Sequence, residues 1–165
     1  MTHRARAAGC LAVALAVSCG PSDQRPGTWI RGEVATDPVS DWGFTADVPE
    51  VHVETRTWYG IPHSVTTVCA STGEALYVPS VYFEGGEFPD ERRWNRNVAR
   101  DPRVRLGIAG RIHERTAVLV TDPDERATAL RAFAAKYPFW QEMLAKPEEE
   151  RPGLVLLRMD PSEES

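Results

Sequence analysis

Cysteine is scarce in this chain, with three residues in 165. Cys10 and Cys19 stand in the N-terminal apolar stretch, so Cys69 alone belongs to the body of the sequence and no disulfide can close within it. The chain is one domain long, and that domain must stand on its core. No CxxC pair, helical HExxH, Walker A loop, GxSxG elbow or dinucleotide GxGxxG occurs. A basic excess is also missing: 19 Lys and Arg face 24 Asp and Glu, a formal net charge of −5. That balance argues against nucleic acid as a partner. The apolar run from Ala7 to Val17 falls short of the ~20 residues a permanent membrane span needs. No internal repeat is present.

What is present begins with a leader. Arg4 and Arg6 precede the apolar run, and the small residues Val17 and Ser18 lead to Cys19, the order of a secretory signal. Ala16-Val17-Ser18-Cys19 resembles the bacterial lipobox, with Ala16 where Leu is usual; an ordinary signal peptide cut nearby is the alternative. The expected layout is a signal peptide at 1–18, a lipidated Pro/Gly/Ser tether at 19–27 and an irregular arm at 28–50 that packs its aromatics onto the domain. A folded domain follows at 51–161, then an acidic, disordered tail at 162–165. Lipidation at Cys19 would place the domain at the bacterial cell envelope, on a membrane and facing the periplasm.

From Val51 the apolar period is two. Val51 and Val53 alternate with His52 and Glu54, and Val65 to Cys69 and Ala75 to Val78 follow across tight turns. Val104, Leu106 and Ile108 alternate again, and Ala109-Gly110 turns the chain into a strand from Ile112 to Val120. The strand Leu154 to Met159 is apolar throughout, which predicts a central position covered on both faces. Helices are predicted at Asp90 to Ala99, from Asp122 to Tyr137, and from Pro138 through Leu144. Asp122, Pro123 and Glu125 supply the N-cap, N1 and capping-box residues of the second, and Ala127, Leu130, Ala134 and Tyr137 its apolar face. Three strands, a helix, two strands, two helices and a strand, mostly with short antiparallel connections, make an α+β fold built on a small barrel.

The stretch Trp94-Asn95-Arg96-Asn97-Val98-Ala99-Arg100-Asp101-Pro102-Arg103-Val104 resembles the "W-x-x-N-L…D-P-R-V" segment of split-barrel oxidoreductases. Gly110 to Ala117, Val120 to Arg126 and Lys136-Tyr137-Pro138 continue the likeness in order. The domain is thus similar to the deazaflavin-dependent nitroreductase family and its pyridoxamine 5'-phosphate oxidase-like relatives. The resemblance implies a small antiparallel split β-barrel with flanking helices that binds FMN or an 8-hydroxy-5-deazaflavin coenzyme and reduces a quinone or nitroaromatic acceptor, as a homodimer in many relatives. It places Arg56, Trp58, Tyr59, Gly60, His63 and Ser64 at the hairpin that meets the cofactor phosphate. Here Trp58 and Tyr59 stand in place of that hairpin's inner basic residue and Ser, and the loop is one residue shorter. Arg93, Trp94, Arg96 and Asn97 are the corresponding helix residues.

Bland readings stand beside these. Arg92, Arg96 and Arg100 share a helix face and form either a phosphate-holding stripe or a solvated surface. Asn97 is a cofactor contact or a cap tying the helix to a strand. Trp58 and Tyr59 suit a pocket, whereas Tyr77, inside a strand, suits the core, and Tyr82 suits either. His52, Glu54, His63, His113 and Glu114 lack a ligand spacing, so no metal is expected, and haem on a strand His is an outside alternative. Cys69 reads as a buried, inert thiol. Two functions follow: a flavin- or deazaflavin-dependent oxidoreductase anchored as a lipoprotein, or a non-enzymatic lipoprotein that keeps the barrel and binds another small ligand.

Overall fold

A computed structural model describes residues 27–162. The predicted signal peptide, Cys19, most of the tether and all but Ser162 of the tail lie outside the described residues.

Eight strands are seen: β1 Glu33–Val34, β2 Val51–Arg56, β3 Pro62–Thr67, β4 Ala70–Ser71, β5 Leu76–Tyr82, β6 Arg103–Ile108, β7 Arg111–Leu119 and β8 Gly153–Pro161. Three helices accompany them: α1 Arg93–Arg100, α2 Pro123–Lys136 and α3 Pro138–Ala145. The ladder runs β3-β2-β6-β7-β8-β5-β4, with every pairing antiparallel, and β1 adds to β7 in parallel. Its outermost strands, β3 and β4, are separated in the chain by Val68 and Cys69 alone. A flat sheet would hold those edges about 29 Å apart, whereas the connecting chain reaches about 10 Å. The sheet therefore curls into a barrel. Beyond Tyr77, β5 has no partner on its β4 side, which leaves the barrel split between β3 and β5.

Helix α1 fills the split. Trp94 and Val98 enter the barrel core with Val51, Val53, Val78, Val104, Leu106, Leu157 and Met159. Asn95 Nδ2 donates to Ser80 Oγ and Tyr82 Oη on β5, and Asn97 Nδ2 to Thr55 Oγ1 on β2. The helix starts at Arg93 rather than Asp90 because Glu91 adopts φ 63° and Arg92 is extended, neither of which a helix tolerates.

Helices α2 and α3 cover the outside of β5 and β8. Asp122 caps α2 by accepting from the Glu125 amide at 2.8 Å, and Pro123 sits in the first turn as predicted. The Glu125 carboxylate takes Arg158 of β8 and the Tyr77 hydroxyl. The buried face is turned from the predicted one. Ala129 and Phe133 are deepest, Leu130 and Tyr137 flank them, and Ala127 is exposed. Strand β8 is central, with Leu157 and Met159 inside the barrel and Leu154 and Leu156 under the helices. Tyr77 and Tyr82 are both buried.

The arm packs differently from expectation. Trp42 and Ile30 are buried, while Trp29 and Phe44 stay about half exposed. Residues 27–34 form a strap across the outer face of the sheet. The Gly27 amide donates to Ser64 Oγ (3.1 Å) and the Ile30 amide to Glu54 Oε2 (2.5 Å), and Glu33–Val34 pairs with Arg111–Ile112. A Cβ on Gly107 would come within 3.3 Å of the Ile30 side chain, so a glycine there lets the strap lie close. This cover buries Glu54, which the alternation of β2 assigns to solvent. Cys69 is fully buried as expected, though between strands, and burial pushes its thiol up.

Candidate active site

The site lies where β2 ends and α1 meets Asp101. Pro102 and Asp101 end α1, and β6 then runs back antiparallel to β2. This brings Arg56, Arg100 and Arg103 to one end of the barrel, where Arg100 donates to the Arg56 carbonyl. A cleft of about 960 Å³ opens there over the outer face of β6 and β7. Arg56, Arg100, Arg103 and Arg105 line it on the basic side, and Glu54, Asp101, Glu114 and Asp160 on the acidic; Arg115 touches its wall from a position whose side chain turns into the barrel.

Its charges do not cancel evenly. Arg105 pairs with Glu54 at 2.9 Å and approaches Glu114 at 3.8 Å. Arg103 clasps Asp101 through two nitrogens, and that contact holds the Asp101 carboxyl below its ordinary value. Asp160 is taken by Arg158 at 2.6 Å. Arg56, Arg100 and Arg115 form no ion pair among the described residues. Arg115 is the unusual one. It is buried, donates to the Glu114 carbonyl, and lies 5.0 Å from the centroid of the Trp42 ring. A guanidinium taken out of water without a carboxylate is costly, and burial lowers its affinity for the proton. The donor set of this cleft suits an anion: Glu54, Asp101 and Asp160 each hold an arginine, and Arg56 and Arg100 are left over.

The residues named from the sequence divide around this cleft. Of the ten, Arg56 alone lines it. Trp58 and Tyr59 stand exposed on the tip of the β2–β3 hairpin, rings 5.4 Å apart edge to face, where Gly60 supplies φ 85°. His63 pairs with Thr55 across the hairpin. Its Nδ1 is sealed without a partner, and burial, then Arg93, holds its pKa below the ordinary 6.5. The Ser64 hydroxyl is occupied by the strap. Arg93 and Arg96 are exposed on α1, whereas Trp94 and Asn97 are buried and anchor that helix. Sequence reasoning missed Arg115. The available signal was its place in β7 between His113 and Ala117, the strand face that turns inward. Among the described residues no group of three His, Cys, Asp or Glu could hold a metal ion.

A split antiparallel barrel plugged by a helix, with an anion-suited cleft beside the plug, is the architecture of the flavin-binding split barrels. Within that class the chain belongs to the F420H(2)-dependent quinone reductase family, whose model matches residues 50–157. That family implies the deazaflavin coenzyme F420, a quinone acceptor and oxidoreductase chemistry. A solved conserved hypothetical protein of Mycobacterium tuberculosis shares the fold at TM-score 0.51 and 16% identity, over 79% of this chain and 84% of that one. HutZ, the heme storage protein of Vibrio cholerae, shares it at TM-score 0.52 and 14% identity, over 73% and 86%. The search of curated proteins gave no match.

Proposed function

We propose that this chain is an F420-dependent quinone reductase held at the bacterial cell envelope by a lipid on Cys19, with its domain facing the periplasm and its acceptor in the membrane. One observation carries the cofactor reading: in the cleft Glu54, Asp101 and Asp160 each hold an arginine, while Arg56 and Arg100 form no ion pair among the described residues. F420 carries a phosphodiester and glutamate carboxylates on a long tail, and such anions would take charge-assisted hydrogen bonds from those two guanidiniums. When bound, the reduced deazaflavin supplies a hydride, and a quinone needs one further proton to become the quinol. The chain's share is to bind and orient. Arg100, tied to the Arg56 carbonyl, keeps a second cation beside the cleft, while Arg115 is turned into the barrel against Trp42.

The test is a fluorescence titration of the full chain with F420 and, separately, FMN. Micromolar or tighter F420 binding, weakened in Arg56→Ala and Arg100→Ala, supports the reading. A quinone-dependent reoxidation assay then identifies the acceptor, and sedimentation with and without F420 reads the homodimer expected from the resemblance. No binding of either cofactor by a folded chain overturns the reading in favour of a non-enzymatic ligand-binding barrel. Mass spectrometry of the mature N-terminus decides the lipid on Cys19 independently.

A further inference from the structure

The β2–β3 hairpin carries side chains that neither the core nor the cleft explains. Trp58 is 80% exposed, Ile61 53% and Tyr59 49%, and none of them lines the cleft. Trp29, on the strap, is 52% exposed. Single exposed apolar residues need no explanation, but four gathered at one end of a small domain do. They are gathered because the Gly27 amide is bonded to Ser64 Oγ, and Ser64 lies three positions, about 10 Å, from Ile61 along the chain. The tip is not a loose loop. Gly60 donates to the Thr57 carbonyl at 3.2 Å, Thr57 Oγ1 donates to the Ile61 carbonyl, and Trp58 and Tyr59 brace one another.

Basic residues lie at the base of this hairpin, with Arg100 bonded to the Arg56 carbonyl and Arg93 near His63. Arg56 closes β2 beneath it, and Arg93, Arg96 and Arg100 are exposed on α1, where none of the three forms an ion pair among the described residues. The rest of the chain is acidic, with a net charge of −5 overall. Exposed Trp, Tyr and Ile on a hairpin with arginines at its base is the chemistry of an interfacial anchor on anionic lipid.

The geometry points to the hairpin tip, Trp58, Tyr59 and Ile61 with Trp29 beside them, as a second contact that inserts into an anionic bilayer surface. The occupant follows from where the chain leaves the domain. Seven residues lie between Cys19 and Gly27, eight steps of chain with a reach of at most about 28 Å. A lipid on Cys19 would therefore keep this end of the barrel next to the membrane. The orientation rests on the lipidation proposed above; the hairpin's own affinity for lipid does not. Insertion would turn the Arg56 end of the cleft toward the interface, where an apolar quinone resides.

The full chain, in the N-terminal form that mass spectrometry establishes, is mixed with vesicles of phosphatidylcholine and phosphatidylglycerol whose acyl chains are brominated. Trp58→Phe keeps an apolar ring and removes the fluorophore. We expect about half of the lipid-dependent tryptophan quenching to disappear in that variant, and the vesicle partition of an unlipidated Cys19→Ser chain to fall about tenfold on adding Trp58→Ser and Ile61→Ser. Both substituted side chains are exposed, and an unchanged thermal midpoint confirms that the fold persists. Quenching identical in wild type and Trp58→Phe overturns the proposal, even if Cys19 carries lipid. Quenching lost in Trp58→Phe in a chain without lipid sustains the hairpin contact and refutes the anchor alone. Equal partition into vesicles of pure phosphatidylcholine overturns the part assigned to the arginines.

Discussion

Asn97 donates its side-chain amide to the Thr55 hydroxyl at 3.0 Å, and that hydroxyl donates onward to the His63 carbonyl. The helix that plugs the barrel is thereby tied to both strands of the hairpin. Both side chains are buried, so removing one leaves the other short of a partner. Asn97→Ala is expected to cost about 1–3 kcal/mol of unfolding free energy, and the cycle with Thr55→Val to show a coupling of about 1 kcal/mol. Urea melts of the four proteins measure it. An additive result would mean that the amide finds another acceptor.

Two histidines should make stability depend on pH. His113 faces Trp42 and Phe44 inside the barrel with Nδ1 sealed and unpartnered; burial, then Arg115 and Arg111, holds its pKa below 6.5. His63 is lowered in the same direction by burial and Arg93. The unfolded chain takes up these protons at the ordinary value while the folded chain resists, so it binds more protons just below pH 6.5. Stability is therefore full above that value and declines as the pH falls through it toward the folded-state pKa values. Urea midpoints between pH 8 and 5 should show the decline, and His113→Phe should flatten it.

Much of the scaffold was legible because its signals are local. Asp122-Pro123 opens α2, and the two-sided apolar run of β8 marks a central strand, with no long-range contact needed to see either. The family segment named the helix at the site, and Asn97 took the structural role weighed for it. What was not legible depends on distant partners. Glu54 is buried only because Ile30 crosses it, and Arg115 turns inward only because Trp42 arrives from the arm to receive it. In β7 the apolar Ile112 points outward and is covered by the strap, so hydrophobicity misreads which face of that strand is inside. The apolar face read for α2 was likewise offset, because small Ala129 is what lets the helix approach the sheet.

Arg115 should separate stability from binding. A buried guanidinium without a carboxylate costs desolvation, so Arg115→Met, similar in length and apolar, is expected to hold or raise the thermal midpoint. Because that guanidinium turns into the barrel against Trp42, F420 affinity should change little, whereas Arg56→Ala at the cleft should lower it about tenfold. Wild-type affinity should also weaken with added salt, because Arg56 and Arg100 are exposed. An Arg115→Met chain that loses F420 affinity at an unchanged thermal midpoint would place the guanidinium in the service of the cleft instead.

Glu54 joins the strap to the cleft with one carboxylate: Oε2 accepts from the Ile30 amide and Oε1 from Arg105. Glu54→Ala strips both partners at once and leaves the half-buried Arg105 with only the distant Glu114. Breaking such a pair is expected to cost about 2–4 kcal/mol. The loss should not be uniform, since the strap's remaining ties are Gly27 to Ser64 and the short pairing of β1 with β7. Amide exchange at Ile30 and Glu33 should therefore accelerate far more than at Leu106 or Leu157, which lie in the barrel core. Glu54→Gln is the sharper probe. It can still accept from Ile30 through its carbonyl but can no longer charge-pair with Arg105, so strap protection should largely survive while Arg105 joins the free cations of the cleft. If the strap exchanges as fast in Glu54→Gln as in Glu54→Ala, the charge rather than the hydrogen bond holds it down.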